Sequence, residues 1–119
     1  LTGTMDAQTE IKPGDFRAVL PRFAAEARSA NQAVVDLLRQ VAAQMQATPA
    51  QVALAWILAR APWIVPIPGS TKLARIDENI GATRLVLTAE QITALTAAAE
   101  AIPIVGARYP DAIERTTGL

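Results

Sequence analysis

Hydrophobic residues recur at helical spacing along residues 31–46, and this pattern predicts an amphipathic helix. The apolar positions form one wide stripe that consists of Val34, Val35, Leu37, Leu38, Val41, Ala42 and Met45. Residues 23–30 are compatible with a short helix before it. Residues 1–22 carry Gly3, Pro13, Gly14 and Pro21 among polar residues, which predicts an extended loop.

Two further helices are indicated by capping-box sequences. The first, Thr48-Pro49-Ala50-Gln51, puts a hydroxyl at the N-cap, a proline at the first helical position and a glutamine three residues after the cap. The apolar residues that follow share one face and are Val52, Ala55, Trp56 and Ala59. The second box, Thr88-Ala89-Glu90-Gln91, predicts the last helix. From Pro103 onward the pattern predicts irregular structure.

A short apolar run between these helices predicts a β-strand at Ile64–Ile67. Its residues are apolar on both faces, as in the strands of a covered parallel sheet, although Pro66 removes one ladder hydrogen bond. The next helix has a stripe of Leu73, Ile76 and Ile80 that is expected to be buried, and Gly81 can close it. A single strand is no sheet, so either its partner strands lie outside the chain or the strand prediction is wrong.

Composition excludes several kinds of chemistry. The chain of 119 residues is 51% hydrophobic but only 4% aromatic, so its core is expected to consist of Ala, Leu, Ile and Val. Basic and acidic residues number 11 each, which gives no attraction to nucleic acid or acidic membranes. No apolar run reaches the ~18 residues of a membrane span. The chain has no cysteine, which fits a cytoplasmic setting, and no histidine, the usual general base and zinc ligand.

The candidate site lies where the predicted strand leads into the next helix. Gly69, Ser70, Thr71 and Lys72 precede a helix N-terminus, whose N–H groups and dipole favour an anion such as phosphate. Lys72, Arg75 and Asn79 then share one face at helical spacing. Arg75 offers a planar fork to a phosphate, and Glu78 with Asn79 can bind an amine or ring nitrogen. The set suits a nucleotide, but a plain helix cap beside a solvated charged face explains the same pattern.

A family resemblance extends this interpretation. The stretch Ile67-Pro68-Gly69-Ser70-Thr71-Lys72, followed by Arg75 and by Glu78-Asn79, resembles the cofactor-binding end of the aldo-keto reductases. Residues 48–58 resemble the helix before the last barrel strand of that family, and residues 62–68 resemble the strand itself. Leu1-Thr2-Gly3 resembles the end of the Gly-rich loop that follows the seventh strand and passes the cofactor pyrophosphate. The resemblance covers essentially the whole chain.

The resemblance implies an α/β fold, the C-terminal part of a (β/α)8 TIM barrel, mostly helical with one barrel strand near 64–67. A full barrel needs about 250 residues, and this chain opens Leu1-Thr2-Gly3-Thr4-Met5 without an initiator methionine. We therefore expect residues 1–119 to be a C-terminal fragment of one barrel domain. Its parts would be a loop region (1–30), the helices with the last barrel strand (31–101) and a tail (102–119).

The implied activity is hydride transfer between NADPH and an aldehyde or ketone. By resemblance, the segment Gly69, Ser70, Thr71 and Lys72 meets the adenosine 2′-phosphate, Arg75 stacks on or clamps that end, and Glu78 and Asn79 contact the adenine. Many members carry Lys where this chain has Gly69, and a hydroxyl residue where it has Lys72. The positive charge is thus shifted along the loop relative to those members. NADPH is expected over NADH, but this shift leaves the preference open.

The catalytic residues implied by the family are absent from this sequence. In the family, the catalytic Asp, Tyr, Lys and His lie on earlier strands and loops. We therefore predict no catalytic residue and no metal ligand in this sequence, and no activity for the chain alone. Tyr109 is expected to pack the tail, and Asp15-Phe16-Arg17 lies in a loop that could approach the cofactor. Two alternatives remain, a nucleotide-binding regulatory or sensing subunit on the same fold and an inactive gene fragment. Neither substrate nor oligomeric state is indicated.

Overall fold

A computed structural model describes residues 3–6 and 8–118. This part of the chain is helical. Its α-helices are α1 (Ala25–Gln44), α2 (Pro49–Arg60), α3 (Leu73–Gly81), α4 (Ala89–Glu100) and α5 (Asp111–Glu114). Single 3-10 turns lie at Phe16–Val19, Pro21–Phe23 and Ala82–Arg84. Across the described ranges, none of these helices combines the length and the apolar character that spanning a bilayer requires.

The described residues divide into two compact units. One comprises Gly3 and Val34–Ala101, and the other comprises the described parts of Thr4–Ala33 and Ile102–Leu119. The candidate site and the helices α2, α3 and α4 belong to the first unit, and α5 belongs to the second.

The predicted amphipathic helix is confirmed, and α1 begins at Ala25, six residues before the predicted start. The short helix expected over 23–30 is therefore the first part of α1. The helix ends in a Schellman motif, in which Ala47 N–H donates to Ala42 O (2.9 Å) and Gln46 N–H to Ala43 O (3.5 Å). Gln46 takes the left-handed conformation (φ 52°) that the motif requires and that glycine usually supplies.

The core of the first unit is a helical layer. Its buried residues come from α1, α2 and α4 and are Leu38, Ala42, Val52, Ala53 and Leu95. Val52 has no exposed surface, and Trp56 packs against this cluster as predicted. Burial of a Leu or Val side chain stabilises a fold by roughly 1.5–3 kcal/mol, so α1 and α2 are held by the stripes that the sequence predicted.

Both capping boxes are confirmed. Thr48 Oγ1 accepts from Gln51 N–H (3.2 Å) while Gln51 Oε1 accepts from Thr48 N–H (3.0 Å). The same pair of bonds joins Thr88 and Gln91 at 3.2 and 2.8 Å. Each N-cap satisfies backbone donors that have no partner inside the helix, which is worth about 1 kcal/mol. These local contacts fix where α2 and α4 begin.

The strand predicted at Ile64–Ile67 is not confirmed, because residues 64–70 have no regular secondary structure. A parallel strand needs neighbours on its edges, and the described chain supplies none. Exposure nevertheless alternates with the period of a strand. Ile64 and Pro66 are half-buried, while Val65 and Ile67 are 78% and 92% exposed.

The prediction that α3 buries its apolar stripe is wrong for the described chain. Leu73, Ile76 and Ile80 are exposed by 73%, 40% and 53%, and Trp63 before the predicted strand by 81%. The helix α3 is amphipathic as predicted, but its apolar stripe is largely exposed. Together with Val65 and Ile67, these side chains leave a large apolar surface open on the first unit.

In the second unit, side chains hold the loops that the sequence predicted. Arg28 Nη1 donates to the carbonyls of Asp6 and Thr9, each at 2.6 Å. The Asn31 amide pairs with both backbone groups of Val105 at 2.8 Å. Gly106, at φ +88°, approaches the backbone of Arg22 so closely that a Cβ would lie 2.8 Å from it. The tail is irregular as predicted, except for the single turn of α5.

Candidate functional site

The seven predicted site residues lie on one loop and the helix that follows it. Gly69, Ser70 and Thr71 form the loop, Lys72 is the N-cap of α3, and Arg75, Glu78 and Asn79 belong to the helix. The loop residues, Lys72 and Arg75 are exposed, whereas Glu78 and Asn79 are half-buried. The cations Lys72 and Arg75 thus face solvent at the start of α3, whereas the Glu78 side chain is largely covered.

A hydroxyl shapes the turn into α3. Ser70 Oγ accepts from Lys72 N–H at 3.1 Å and is 3.3 Å from Lys72 O, to which its hydroxyl donates. Lys72 O in turn accepts from the N–H groups of Arg75 and Ile76 at 3.0 and 3.2 Å. No side chain caps α3, in contrast to α2 and α4. Its N-terminal dipole is therefore not offset by a capping oxygen, which favours an anion there.

Glu78 links α3 to the N-terminus of α2. Its carboxylate pairs with Arg75 Nη1 at 2.5 Å, and its side chain is only 16% exposed while that of Arg75 is 49% exposed. A hydrogen bond with the Thr48 hydroxyl, and then one with Arg75, lowers the pKa of Glu78. Its backbone carbonyl accepts from Gln51 Nε2 at 3.0 Å. Glu78 is therefore ionised and held from two directions.

Sequence reasoning missed the part that α2 plays here. Thr48 and Gln51 were predicted as a capping box, but both also contact Glu78, which lies 27 positions after Gln51. Nothing local in the sequence indicates a bond over that distance. The one sequence feature that fits this bond is the glycine at the end of α3. A Cβ on Gly81 would lie 2.6 Å from Gln51 Nε2, so a glycine there leaves room for the Gln51 amide.

Gly69 has open space around it. A Cβ at this position would meet nothing within 4 Å, and its φ lies outside the left-handed region. The position therefore accepts a side chain, including the lysine that the resemblance associates with it. Here the absence of a side chain leaves Lys72 and Arg75 as the cations of the segment.

Other candidates are engaged locally. The Asp15 carboxylate accepts hydrogen bonds from the Arg17 guanidinium and, at 3.0 Å, from Arg17 N–H, and these bonds lower the pKa of Asp15 to about 2. Tyr109 is half-buried with the Arg108 guanidinium 5.3 Å from its ring centre. Among the residues whose placement is described, no three acidic side chains converge on a point where a metal ion could sit. Gly3 O accepts from Arg39 at 3.1 Å, but Leu1 and Thr2 of the predicted Gly-rich loop lie outside the described residues.

Comparison with known proteins decides the family. The profile of the Aldo/keto reductase family matches residues 1–100. The chain belongs to this family. Over 108 residues it is 39% identical to aldo-keto reductase str7 of Strobilurus tenacellus, covering 91% of this chain and 32% of that protein. Over 110 residues it is 34% identical to aldo-keto reductase yakc [NADP(+)] of Schizosaccharomyces pombe, covering 92% and 32%.

A third relative, probable aldo-keto reductase 1 of Glycine max, is 37% identical over 94 residues, which is 79% of this chain and 27% of that protein. The chain thus spans about a third of the length of the curated relatives it matches. No solved structure gives a significant match. The exposed cations Lys72 and Arg75 beside an uncapped helix N-terminus have the chemistry to attract an anion. The sequence has no histidine and nothing that matches the family's catalytic set.

Proposed function

We propose that this chain holds the adenosine 2′-phosphate end of NADPH in an aldo-keto reductase that reduces aldehydes or ketones. The observation that carries the proposal is the start of α3. There, an N-terminus without a side-chain cap lies beside the cations of Lys72 and Arg75, and Glu78 and Asn79 follow within two turns. The name of the Schizosaccharomyces pombe relative includes NADP(+), which further supports the proposal.

In this proposal, the loop from Gly69 to Lys72 surrounds the phosphate, and Arg75 binds it through a charge-assisted contact. Such a contact contributes about 1.5–3 kcal/mol. Glu78 and Asn79 bind the adenine. Binding energy from this remote end would position the nicotinamide for hydride transfer, which is how non-reacting parts of a ligand accelerate a reaction. A small carbonyl compound is the proposed second partner, and we place the activity in the cytoplasm.

The proposal includes the barrel. Residues 1–119 would form the C-terminal part of one (β/α)8 domain, with residues 64–67 as a strand. The alternating exposure of this segment supports that assignment, since Ile64 and Pro66 are half-buried while Val65 and Ile67 are exposed. The exposed stripe of α3 is a second support. In a closed barrel, neighbouring strands and helices would cover both surfaces.

Nucleotide titration tests the proposal. The chain is titrated with 2′,5′-ADP and with 5′-AMP, which differ only in the 2′-phosphate. Arg75→Ala should weaken 2′,5′-ADP roughly ten- to a hundredfold and leave 5′-AMP nearly unchanged. Arg84→Ala is the matched control, because Arg84 is an exposed arginine of the same unit outside α3. An equal loss for both nucleotides would assign Arg75 a stacking or structural role instead.

The same titration is repeated on a chimera that carries the preceding part of the Strobilurus tenacellus relative before Leu1. This arm supplies the rest of the proposed barrel, so NADPH and NADH replace the fragments as ligands. Selective loss of NADPH affinity in Arg75→Ala is the expected result. A wild-type chimera that folds but binds neither cofactor would refute the proposed function.

A further inference from the structure

The two capping boxes of this chain form the same local hydrogen bonds, but one of them also bonds to a second helix. In both, the glutamine Oε1 accepts from the N–H of the threonine three residues earlier. Only Gln51 uses its other amide atom on another helix, since Nε2 donates to Glu78 O at 3.0 Å. Within the described residues, Gln91 forms no corresponding bond. Gln51 therefore does more than cap α2, and Gln91 is an internal control for the capping part.

Glu78 connects Gln51 to the guanidinium of Arg75. Glu78 receives Gln51 Nε2 at its backbone carbonyl and holds Arg75 Nη1 with its carboxylate at 2.5 Å. Because the Glu78 side chain is 16% exposed and that of Arg75 49%, the anchored end is the carboxylate. An arginine held at one nitrogen keeps fewer rotamers than a free side chain, and so loses less entropy when it binds an anion.

Gly81 leaves the space that the Gln51 amide occupies. It is the last residue of α3, in ordinary helical geometry (φ −54°), where alanine would favour the helix by up to about 1 kcal/mol. A Cβ would nevertheless lie 2.6 Å from Gln51 Nε2. The amide is the far end of a flexible side chain and can move aside, but it would then lose Glu78 O. Glycine at this position thus preserves the link between the helices.

We infer that Gln51 is a positioning residue of the nucleotide site, which acts through Glu78 to hold Arg75 in place for the 2′-phosphate. The inference rests on the proposed function for the identity of the ligand. Its structural part, the hold of Gln51 on Arg75, does not require any ligand. The two parts can therefore be measured separately on the same chain.

The test uses three variants of the full 119-residue chain. Gln51→Met keeps the length of the side chain but removes both amide atoms. Gly81→Ala keeps Gln51 but displaces its amide. Gln91→Met removes an equivalent capping bond far along the sequence and controls for lost helix stability. Affinity for 2′,5′-ADP should fall roughly three- to tenfold in the first two variants and stay unchanged in the third.

The second readout needs no nucleotide. NMR of the Arg75 Nε–Hε group should show a distinct, ordered signal in the unmodified chain and in Gln91→Met, and a signal near that of a mobile arginine in Gln51→Met and Gly81→Ala. Equal behaviour of Gln51→Met and Gln91→Met in this readout would overturn the inference. So would a mobile Arg75 in the unmodified chain.

The outcomes separate the two claims. If the unmodified chain shows an ordered Arg75 that depends on Gln51 but does not bind 2′,5′-ADP, the proposed ligand is wrong, and so is the role of Gln51 toward it. If the nucleotide binds and Gln51→Met binds it as tightly as Gln91→Met does, the proposed function stands and the positioning role is refuted.

Discussion

Trp56 donates its indole Nε1–H to Thr96 Oγ1 over 2.9 Å, and this bond joins α2 to α4. Arg60 completes the arrangement from the same face of α2. Its guanidinium lies 5.4 Å from the Trp56 ring centre, and its Nη1 is 3.3 Å from the same hydroxyl. The contact brings together residues 40 positions apart, and so depends on tertiary packing.

Thr96→Val should destabilise the helical layer, because a half-buried indole N–H would lose its acceptor. We expect the free energy of unfolding to fall by about 1 kcal/mol. Urea unfolding followed by tryptophan fluorescence in a Trp63→Phe background isolates the signal of Trp56, since Trp63 is the exposed tryptophan. Thr93→Val is the control, because within the described part of the chain the Thr93 hydroxyl bonds to Ala89 O on its own helix and to no other helix. Similar losses in the two variants would contradict the packing role.

Glu78 should make the first unit sensitive to acid. Its pKa is lowered in the folded chain by Thr48 and Arg75 from the ordinary value of 4.5. The stabilisation is therefore present above that value and is lost as the pH falls through the lowered pKa. Glu78→Gln should be less stable than the unmodified chain at pH 7 but lose less stability on acidification. Unfolding curves of both proteins between pH 7 and roughly pH 3 measure this difference. If the stability of the two proteins changes with pH in parallel, Glu78 does not contribute to the acid sensitivity.

Gly69→Lys should strengthen binding of a 2′-phosphate. The position accepts a side chain without a clash, and it belongs to the loop that leads to Lys72 and Arg75. One added charge contact contributes on the order of 1 kcal/mol at an exposed site, or roughly fivefold in affinity. The measurement is titration with 2′,5′-ADP at low and high salt, with Gly69→Gln as the neutral control. A gain that survives high salt would argue against the electrostatic explanation.

The chain alone should have no carbonyl reductase turnover, because its sequence contains no histidine and no match to the catalytic set of the family. NADPH oxidation with nitrobenzaldehyde provides the assay. The chimera with the preceding part of a relative is the positive arm. Turnover by the 119-residue chain that persists after repurification would refute the assignment of catalysis to other residues. A folded chimera that binds NADPH without turnover would instead favour the sensing subunit.

The open apolar surface should make the isolated chain self-associate. Ile67 is 92% exposed in a segment without strand partners, and such edges pair with other chains. Ile67→Lys should reduce association in light scattering. Ile104→Lys is the control, since Ile104 is 53% exposed in the other unit. A chain that remains monomeric, with strongly protected amides at Val65 and Ile67, would show that these residues find partners within it.

The features that the sequence predicted well are those with local causes. Thr48 and Gln51 meet within one helical turn, so their spacing alone indicates the cap that the structure contains. The stripe of α1 was recognised because helical periodicity determines which side chains share a face. For the same reason, helical spacing predicts that Lys72, Arg75 and Asn79 share one face of α3.

Features that depend on distant partners were not predicted. Periodicity showed that Leu73 and Ile76 share a face but not whether anything covers it, and both are exposed. Residues 64–67 are apolar, which favours a strand, but a strand forms only where hydrogen-bonding neighbours are present. The bonds of Gln51 with Glu78 and of Trp56 with Thr96 connect residues 27 and 40 positions apart. Sequence spacing contains no information on contacts of that range.

The unequal caps of the helices imply an order of folding. α2 and α4 each begin with contacts between residues three apart, so they can form on the sub-microsecond to microsecond timescale of helix formation without closing a long loop. α3 has no such start and receives its support from Gln51 at the N-terminus of α2. It should therefore become stable only after α2 has formed and the intervening loop has closed. The proposed phosphate site would then be among the last parts of this unit to become ordered.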